Sequence, residues 1–405
     1  MDALYPEDET IFVTSLLADT EVKTDGLRAA FEKSCGKPLL VKAVSSNKLA
    51  TQLEKVPRVR VVQDHLEANR LAEGIEVPEQ YEDVACSTQP FFEVTFVSVL
   101  DAALSFCYGV FSQMDRFASK LSTRKLARFF LFSERCSSTQ TLLAAANKMD
   151  KVPDGTLFLA ADQTKGKGRG GNVWQSKGGS LLCSLSCRIP RHRARHLPFL
   201  QYLIALTLAE SVDALRPRSA PGLVSLKWPN DLWLGRHCKV GGVIADTAFA
   251  GGDFRVIVGI GLNVCNSAPT AALNSAVLRG DFAGNYDFLG LDAVSPQEDP
   301  KALRCDDLLA EFCNRLEPAL WQFERRGFAP FLDAYLGRWL HSGQRVTIAD
   351  AQGEAFDAVL TGLTESGYLR ATLCDSDDKV IELHPDGNTV DMLRGLIAPK
   401  LHKPA

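Results

Sequence analysis

Four glycines (Gly166, Gly168, Gly170, Gly171) and three cations (Lys165, Lys167, Arg169) fall within seven residues of this chain, inside the run D-Q-T-K-G-K-G-R-G-G-N-V-W-Q-S at 162–176. No helix interior and no central strand favours that density of glycine, so the run is expected as a loop. Glycine lets backbone N–H groups approach an anion closely, and lysine and arginine add fixed positive charge. A ligand bearing phosphate is the first expectation, beside the plainer reading of a solvated surface turn.

The spacing Gly166, Gly168, Gly171 also fits G-x-G-x-x-G, a weak signal taken alone. A dinucleotide fold needs a strand before it and a helix directly after it. Residues 156–161 suit the strand, but residues 180–187 alternate in a β-like way and are followed by the basic run 191–196. A kinase glycine loop lacks its H-R-D and D-F-G partners downstream.

Length and composition narrow the class. The chain has 405 residues, 46% hydrophobic content and a net charge of -4, which predicts a soluble globular protein of two or three domains. That charge argues against nucleic-acid binding across a whole face. Eleven cysteines without C-x-x-C pairs suggest reduced thiols, with no disulfide and no structural zinc. His192 and His196 are four apart, but the arginines around them oppose a cation, so they read as solvated surface. The acidic N-terminus lacks the marks of a signal or transit peptide, and no apolar run reaches membrane-spanning length, so a cytoplasmic location is expected, with no membrane and no nucleic-acid partner.

Residues 11–16, 39–44, 59–62 and 91–99 read as strands and 27–35 as an amphipathic helix, with no catalytic spacing and no helix-turn-helix. Beyond residue 120 the pattern sharpens. Residues 127–133 read as a buried strand and 137–147 as a helix whose hydroxyls, Ser137, Ser138 and Thr139, stand at its start. Such serines are N-caps first, but a helix N-terminus is also a site for a polar or anionic ligand. A turn at 153–155 precedes the strand that delivers the glycine stretch. Residues 198–215 carry apolar side chains at helical spacing, read as core. L-K-W-P-N-D-L-W at 226–233 is a turn that also holds Lys227, Asn230 and Asp231, and Lys239 opens K-V-G-G-V-I at 239–244. The strand at 254–264 carries Asn263, able to hydrogen-bond a flat heterocycle or to serve only in a turn. Residues 303–323 read as a helix, and 345–348, 355–361, 368–373 and 379–383 as strands of a small β-barrel.

The motifs S-S-T-Q at 137–140, G-K-G-R-G-G-N-V-W at 166–174, K-W-P-N-D-L at 227–232, K-V-G-G-V-I at 239–244 and G-I-G-L-N at 259–263 resemble, in order and spacing, those of biotin-protein ligases. The tail, with W-L-H-S-G-Q-R-V at 339–346 and E-L-H-P-D-G-N at 382–388, looks most like the plant and algal holocarboxylase synthetases. The resemblance spans about 124–397; the residues before 120 match only loosely.

The resemblance implies a two-step ligase. Biotin's carboxylate attacks the α-phosphorus of ATP to give biotinyl-5'-AMP and pyrophosphate, and a lysine of an acceptor domain then attacks the mixed anhydride. Acceptors would be the biotin carboxyl carrier domains of biotin-dependent carboxylases, of the acetyl-CoA and methylcrotonoyl-CoA carboxylase type. Lys167, Arg169 and Lys239 would offset the repulsion of two anions, with Mg²⁺ on the polyphosphate and no metal held by the protein itself. Positions matching Ser138, Thr139, Gln140 and Gln163 line the biotin pocket in this family, Lys167 to Arg169 close over it, and Trp174 and Asn263 stand beside the adenylate. Ser137, Gly166, Gly168, Lys227, Asn230, Lys239 and Gly242 complete the candidate binding residues. Asp231 is the candidate to orient or deprotonate the acceptor lysine, with a turn residue or a magnesium ligand as the alternatives.

Two positions depart from the pattern: Lys167 stands where many relatives have arginine, and Gln140 where asparagine is commoner. The expected fold class is α+β: a mixed-sheet catalytic domain of biotin/lipoate ligase type over 119–340, a C-terminal SH3-like β-barrel over 341–405 and an N-terminal α/β accessory region over 1–118. A lipoate ligase and a biotin-sensing repressor are the rival readings. K-W-P-N-D disfavours the first, and the lack of an N-terminal recognition helix the second.

Overall fold

The computed structural model describes residues 10–15, 40–45, 116–148, 153–175, 178–216, 222–236, 238–266, 271–274, 279–280, 286–287, 302–349, 354–375, 379–384, 388–391 and 396–399. The expected helix at 27–35 and the strands at 59–62 and 91–99 lie outside them.

Strands β1 (Thr10–Ser15), β2 (Leu40–Ser45), β3 (Phe129–Cys136), β4 (Leu157–Gln163), the two-residue β5 (Gly166–Lys167) and β6 (Val173–Trp174), β7 (Ser180–Pro190), β8 (Val224–Lys227), β9 (Asp231–Leu234), β10 (Cys238–Ala250) and β11 (Asp253–Asn263) come first in the chain. Nine of them form one mixed sheet in the order β2-β1-β3-β4-β7-β11-β10-β9-β8. The pairs β1–β2 and β3–β4 are parallel and the others antiparallel. Helix α1 (Thr139–Lys148) makes the crossover between β3 and β4, the connection that a parallel pair requires.

Two helices cover the opposite face: α2 (Leu197–Leu215), with Pro198 in its first turn, and α3 (Cys305–Arg326), followed by the short α4 (Leu332–Arg338). Alternation along β11 separates the two layers. Val256, Val258, Ile260 and Leu262 join the large core under α2 and α3, whereas Ile257 joins Leu131, Phe158, Leu142, Leu143 and Ala146 under α1. Helix α2 is apolar almost all round, as a helix sandwiched between layers must be.

Two further short strands, β12 (Arg279–Gly280) and β13 (Tyr286–Asp287), pair with each other. The C-terminal part holds β14 (Arg345–Ala349), β15 (Ala355–Leu363), β16 (Leu369–Leu373), β17 (Val380–Leu383), β18 (Asn388–Asp391) and β19 (Leu396–Pro399) in a second sheet of order β17-β16-β15-β14-β19-β18. The first four of these match the strands expected from alternation. The last two were not anticipated.

The second sheet docks on α2 through the turn at Gly367. Its carbonyl accepts hydrogen bonds from Tyr202 Oη at 2.7 Å and from Trp228 Nε1 at 3.3 Å. Leu340 N also donates to Leu226 O at 2.9 Å, tying the segment between the sheets to edge strand β8. Among the described residues no helix is long and apolar enough to cross a membrane.

Candidate active site

Among the described residues, the α1 face of the sheet is not fully covered. Past Ile257, the row of β11 that faces α1 continues with Gly259 and Gly261, and Gly242 lies beside Gly261 on β10. A methyl on Gly259 would stand 2.6 Å from Gln140 Oε1, and one on Gly261 would stand 2.7 Å from the Trp174 ring. At Gly242 it would sit 3.5 Å from Asp231 Oδ1 and 3.7 Å from Lys239 Nζ. Missing side chains on two adjacent strands thus seat Gln140, Trp174 and the Asp231–Lys239 pair against the sheet. The space between them is a cavity of about 570 Å³.

One wall is the N-terminus of α1. Ser138 precedes the helix and accepts from Thr141 N at 3.4 Å, the N-cap role expected of such a hydroxyl. Gln163, the last residue of β4, accepts from Thr139 N at 2.8 Å and Thr139 Oγ1 at 3.2 Å. Thr139 Oγ1 lies 2.8 Å from Ser184 Oγ, which donates to Gln140 Oε1 at 3.3 Å. Gln140 Nε2 donates to Ile257 O at 2.9 Å and Asp246 Oδ2 at 3.1 Å. Apart from the exposed Asp246, these side chains are buried or half-buried and hold one another in fixed orientations.

The roof is the glycine stretch. Rather than an open loop it is a small hairpin: β5 pairs with β6, joined by a 3-10 turn at Arg169–Gly171. Gly170 and Gly171 take φ values of 66° and 84°, where side chains are strained, and the turn closes with Gly168 N donating to Asn172 O at 2.7 Å. Lys167 and Arg169 are solvent-exposed at the cavity's rim, and Val173 is 74% exposed.

The third wall is the β8–β9 hairpin. Asn230 is buried, and its carbonyl accepts from Val243 N at 2.8 Å. Lys227 Nζ lies 4.8 Å from the Trp233 ring centroid. Asp231 Oδ1 meets Lys239 Nζ at 2.7 Å, and that ammonium lies 6.0 Å from the Trp174 ring. Trp228 reaches the other way, its indole N–H donating to Tyr202 Oη at 2.9 Å.

Lys167, Arg169, Lys227 and Lys239 line the cavity against one lining carboxylate, Asp231, so among the described residues the site is cationic. It suits an anionic ligand with a flat or apolar remainder, and its volume falls within the roughly 300–1,000 Å³ usual for small-ligand sites. Cys183 also lines it, but burial pushes that thiol up to about 12, so it is no nucleophile at neutral pH. Among the described residues no cluster of three or more His, Cys, Asp or Glu side chains forms a metal site.

Thirteen of the sixteen residues singled out from sequence line this cavity: Ser138, Thr139, Gln140, Gln163, Lys167, Gly168, Arg169, Trp174, Lys227, Asn230, Asp231, Lys239 and Gly242. Ser137 sits behind the wall, its carbonyl accepting from Lys165 N at 2.8 Å. Gly166 packs under Trp174, where a methyl would stand 2.5 Å from the Trp174 carbonyl. Asn263 is buried beyond the cavity, its Nδ2 donating to Ala271 O at 3.1 Å and its Oδ1 accepting from Ser180 Oγ at 3.3 Å. Sequence reading named no role for Ser184, and it treated Gly259 and Gly261 only as parts of a motif. The G-x-G spacing within a strand was the available signal, since it clears one face.

Residues 132–263 match the Biotin/lipoate A/B protein ligase family. "Biotin--protein ligase 2" of Arabidopsis thaliana is 35% identical over 295 residues, covering 71% of this chain and 82% of that protein. The chain belongs to the biotin–protein ligase family. "Biotin--protein ligase 1, chloroplastic" of the same plant is 34% identical over 293 residues, covering 71% of this chain and 74% of that one. The Homo sapiens "Biotin--protein ligase" is 33% identical over 321 residues, covering 76% of this chain and 42% of that protein, so the chain spans less than half of this longer ligase. The matched region runs from within β3 to the end of β11 and holds every residue that lines the cavity.

Proposed function

We propose that this chain activates biotin with ATP to biotinyl-5'-AMP and transfers the biotinyl group to a lysine of apo-carboxylase carrier domains. The observation that carries the reading is the joining, in one cavity, of a fixed hydroxyl–amide wall at the α1 N-terminus with a hairpin of cations above a glycine floor. The wall, Ser138, Thr139, Gln140 and Gln163 with Ser184, suits the ureido and ring end of biotin, which needs oriented donors and acceptors. The cations suit the other end, where a carboxylate must approach a phosphate.

In the first step the carboxylate oxygen bonds to the α-phosphorus and the bond to the β-phosphate oxygen breaks, releasing pyrophosphate. Lys167 and Arg169 from the hairpin, with Lys239 and Lys227 from below, offset the repulsion and stabilise charge on the phosphoryl oxygens. Losing one such donor costs about 3 kcal/mol of barrier, roughly a hundredfold in rate. Magnesium enters as MgATP, carried by the phosphates. In the second step the acceptor amine attacks the anhydride carbonyl carbon and AMP leaves.

Asp231 is held by Lys239 at 2.7 Å. That contact supports a role in aiming the ammonium at the phosphate as much as a role as base for the acceptor lysine. The two separate with preformed biotinyl-AMP: Asp231→Asn losing adenylation but keeping transfer assigns the aiming role, and loss of transfer assigns the base. The glycine hairpin orders over the adenylate and shields the anhydride from water, so protease cleavage within 166–174 is slower with biotinyl-AMP bound.

Carrier domains of the acetyl-CoA and methylcrotonoyl-CoA carboxylase type are the acceptors in this reading. The scattered, unpaired cysteine spacing supports a reducing compartment, the cytoplasm. The region 1–118 is read as accessory, 119–340 as the catalytic domain, and the second sheet within 341–405 as an SH3-like barrel that steadies the Trp228 hairpin. The test is ATP-dependent transfer to a purified biotin acceptor domain, with lipoate as competitor and Arg169→Gly beside wild type. Biotin transfer by wild type, with adenylate leaking from the variant, supports the reading. Transfer of lipoate alone moves the chain to a lipoate ligase.

A further inference from the structure

Behind the floor of the cavity, β11 ends and the chain passes Cys265, which lines no part of the ligand site. Cys305, the first residue of α3, comes to the same place from far along the chain. Both thiols meet one acceptor: Gly179 O lies 3.5 Å from Cys265 Sγ and 3.6 Å from Cys305 Sγ. They also hydrogen-bond each other. Each is partly exposed, unlike Cys136, Cys183, Cys187 and Cys313, which are buried.

Gly179 can serve this meeting because it has no side chain. Its φ is 93°, and a methyl there would stand 2.8 Å from Cys265 C and Asn266 N. Cys265 N donates to the same Gly179 carbonyl at 2.9 Å, so the carbonyl is fixed where both sulfurs reach it. Two thiols that share one oxygen and hydrogen-bond each other are neighbours, the starting arrangement for a bond of about 2.05 Å between sulfurs.

We propose that Cys265 and Cys305 form a reversible redox pair that takes low-molecular-weight disulfides, of the oxidised-glutathione class, as oxidant. The two thiols differ in the way such a pair requires. The hydrogen bond from Cys305, aided by Arg304, lowers the Cys265 pKa despite partial burial, whereas the same bond together with burial raises that of Cys305. Cys265 is therefore the attacking thiolate and Cys305 the resolving thiol.

The exchange balances. Cys265 attacks one sulfur of the small disulfide, breaking its S–S bond and expelling one small thiolate, which takes the proton that Cys265 lost. Cys305 then gives its proton to the second leaving thiolate as its sulfur attacks Cys265. Two protein thiols are oxidised by two electrons, and one small disulfide is reduced to two thiols. The product ties the end of β11 to the start of α3.

The test uses the full chain. It is incubated natively with oxidised glutathione, quenched with N-ethylmaleimide and mapped by peptide mass spectrometry, alongside Cys305→Ser and Cys265→Ser. The expected result is a 265–305 cross-linked peptide in wild type that dithiothreitol removes, a glutathione adduct trapped on Cys265 in Cys305→Ser, and at least tenfold slower modification of Cys305 in Cys265→Ser. No cross-link in wild type overturns the pair, whatever the variants do. A cross-link with the adduct trapped on Cys305 instead overturns the assigned order.

Discussion

Glycine at a single position decides where a functional side chain can lie. Gly259 is the sharpest case, because a methyl there would stand 2.6 Å from Gln140 Oε1 and 3.1 Å from Ile244 Cγ1. Gly259→Ala is expected to turn the Gln140 amide out of its bonds to Ile257 O and Asp246, a loss of about 1–2 kcal/mol of pocket order. Steady-state adenylation should report it as roughly a tenfold rise in KM for biotin with little change in KM for ATP. Gly261→Ala should reverse that split if Trp174 stands beside the adenylate as proposed, since its methyl meets the Trp174 ring. Residues of this kind were only half legible. The cations and hydroxyls announced themselves by chemistry, but Ser184 read as one more residue in a buried strand, because what gives it a role is the distance to Thr139 across the fold.

Elements were legible wherever hydrophobic period and punctuation agreed. The helix expected at 198–215 is α2, Leu197–Leu215, and the one expected at 303–323 is α3, Cys305–Arg326. The glycine stretch was read as a loop and is a hairpin, because the two-residue strands on either side are too short to leave an alternation in sequence. Strands were expected at 11–16 and 39–44 and are β1 and β2, yet their place at the edge of the ligase sheet depends on pairing with β3, which no local pattern encodes. Attachment between elements gives its own test. Glu317 on α3 accepts from Arg124 N and Lys125 N at 2.7 Å and Leu126 N at 2.8 Å, anchoring the segment that feeds β3. Burial tends to raise its pKa, but these three N–H donors prevail and hold the carboxyl below its usual value. The folded pKa is depressed, so this stabilisation is present above the unfolded value of about 4.3 and is lost as pH falls through the folded one. Glu317→Ala is expected to cost about 2 kcal/mol at pH 7, read from urea midpoints, and much less in acid.

Across the whole molecule, acid should weaken the seam between the two sheets. His341 lies in that seam, 3% exposed, with Nδ1 2.9 Å from Gln344 Oε1 and its ring edge-on to Trp339. Burial lowers its pKa to about 4, helped by Lys227 and Arg236 and opposed by the Gln344 bond. The unfolded chain then binds the extra proton first, so stability falls as pH drops from about 6.5 toward 4, by up to about 3 kcal/mol. Thermal midpoints of His341→Gln should be flatter with pH over that window. The same seam carries Gly367, with φ 80° and space for a methyl only 3.3 Å from Pro198 Cβ and Tyr202 Cε2. Gly367→Ala is expected to destabilise by about 1–3 kcal/mol and to lower adenylation as well, measured by denaturation and pyrophosphate release. The carbonyl of Gly367 and the hydroxyl of Tyr202 together receive the indole N–H of Trp228, one residue from Lys227 in the cavity wall. A chimera that trades C-terminal sheets between relatives must therefore inherit the tryptophan, the tyrosine and the glycine turn as a set, because a recombination point between them would strand a buried donor beneath the β8–β9 hairpin.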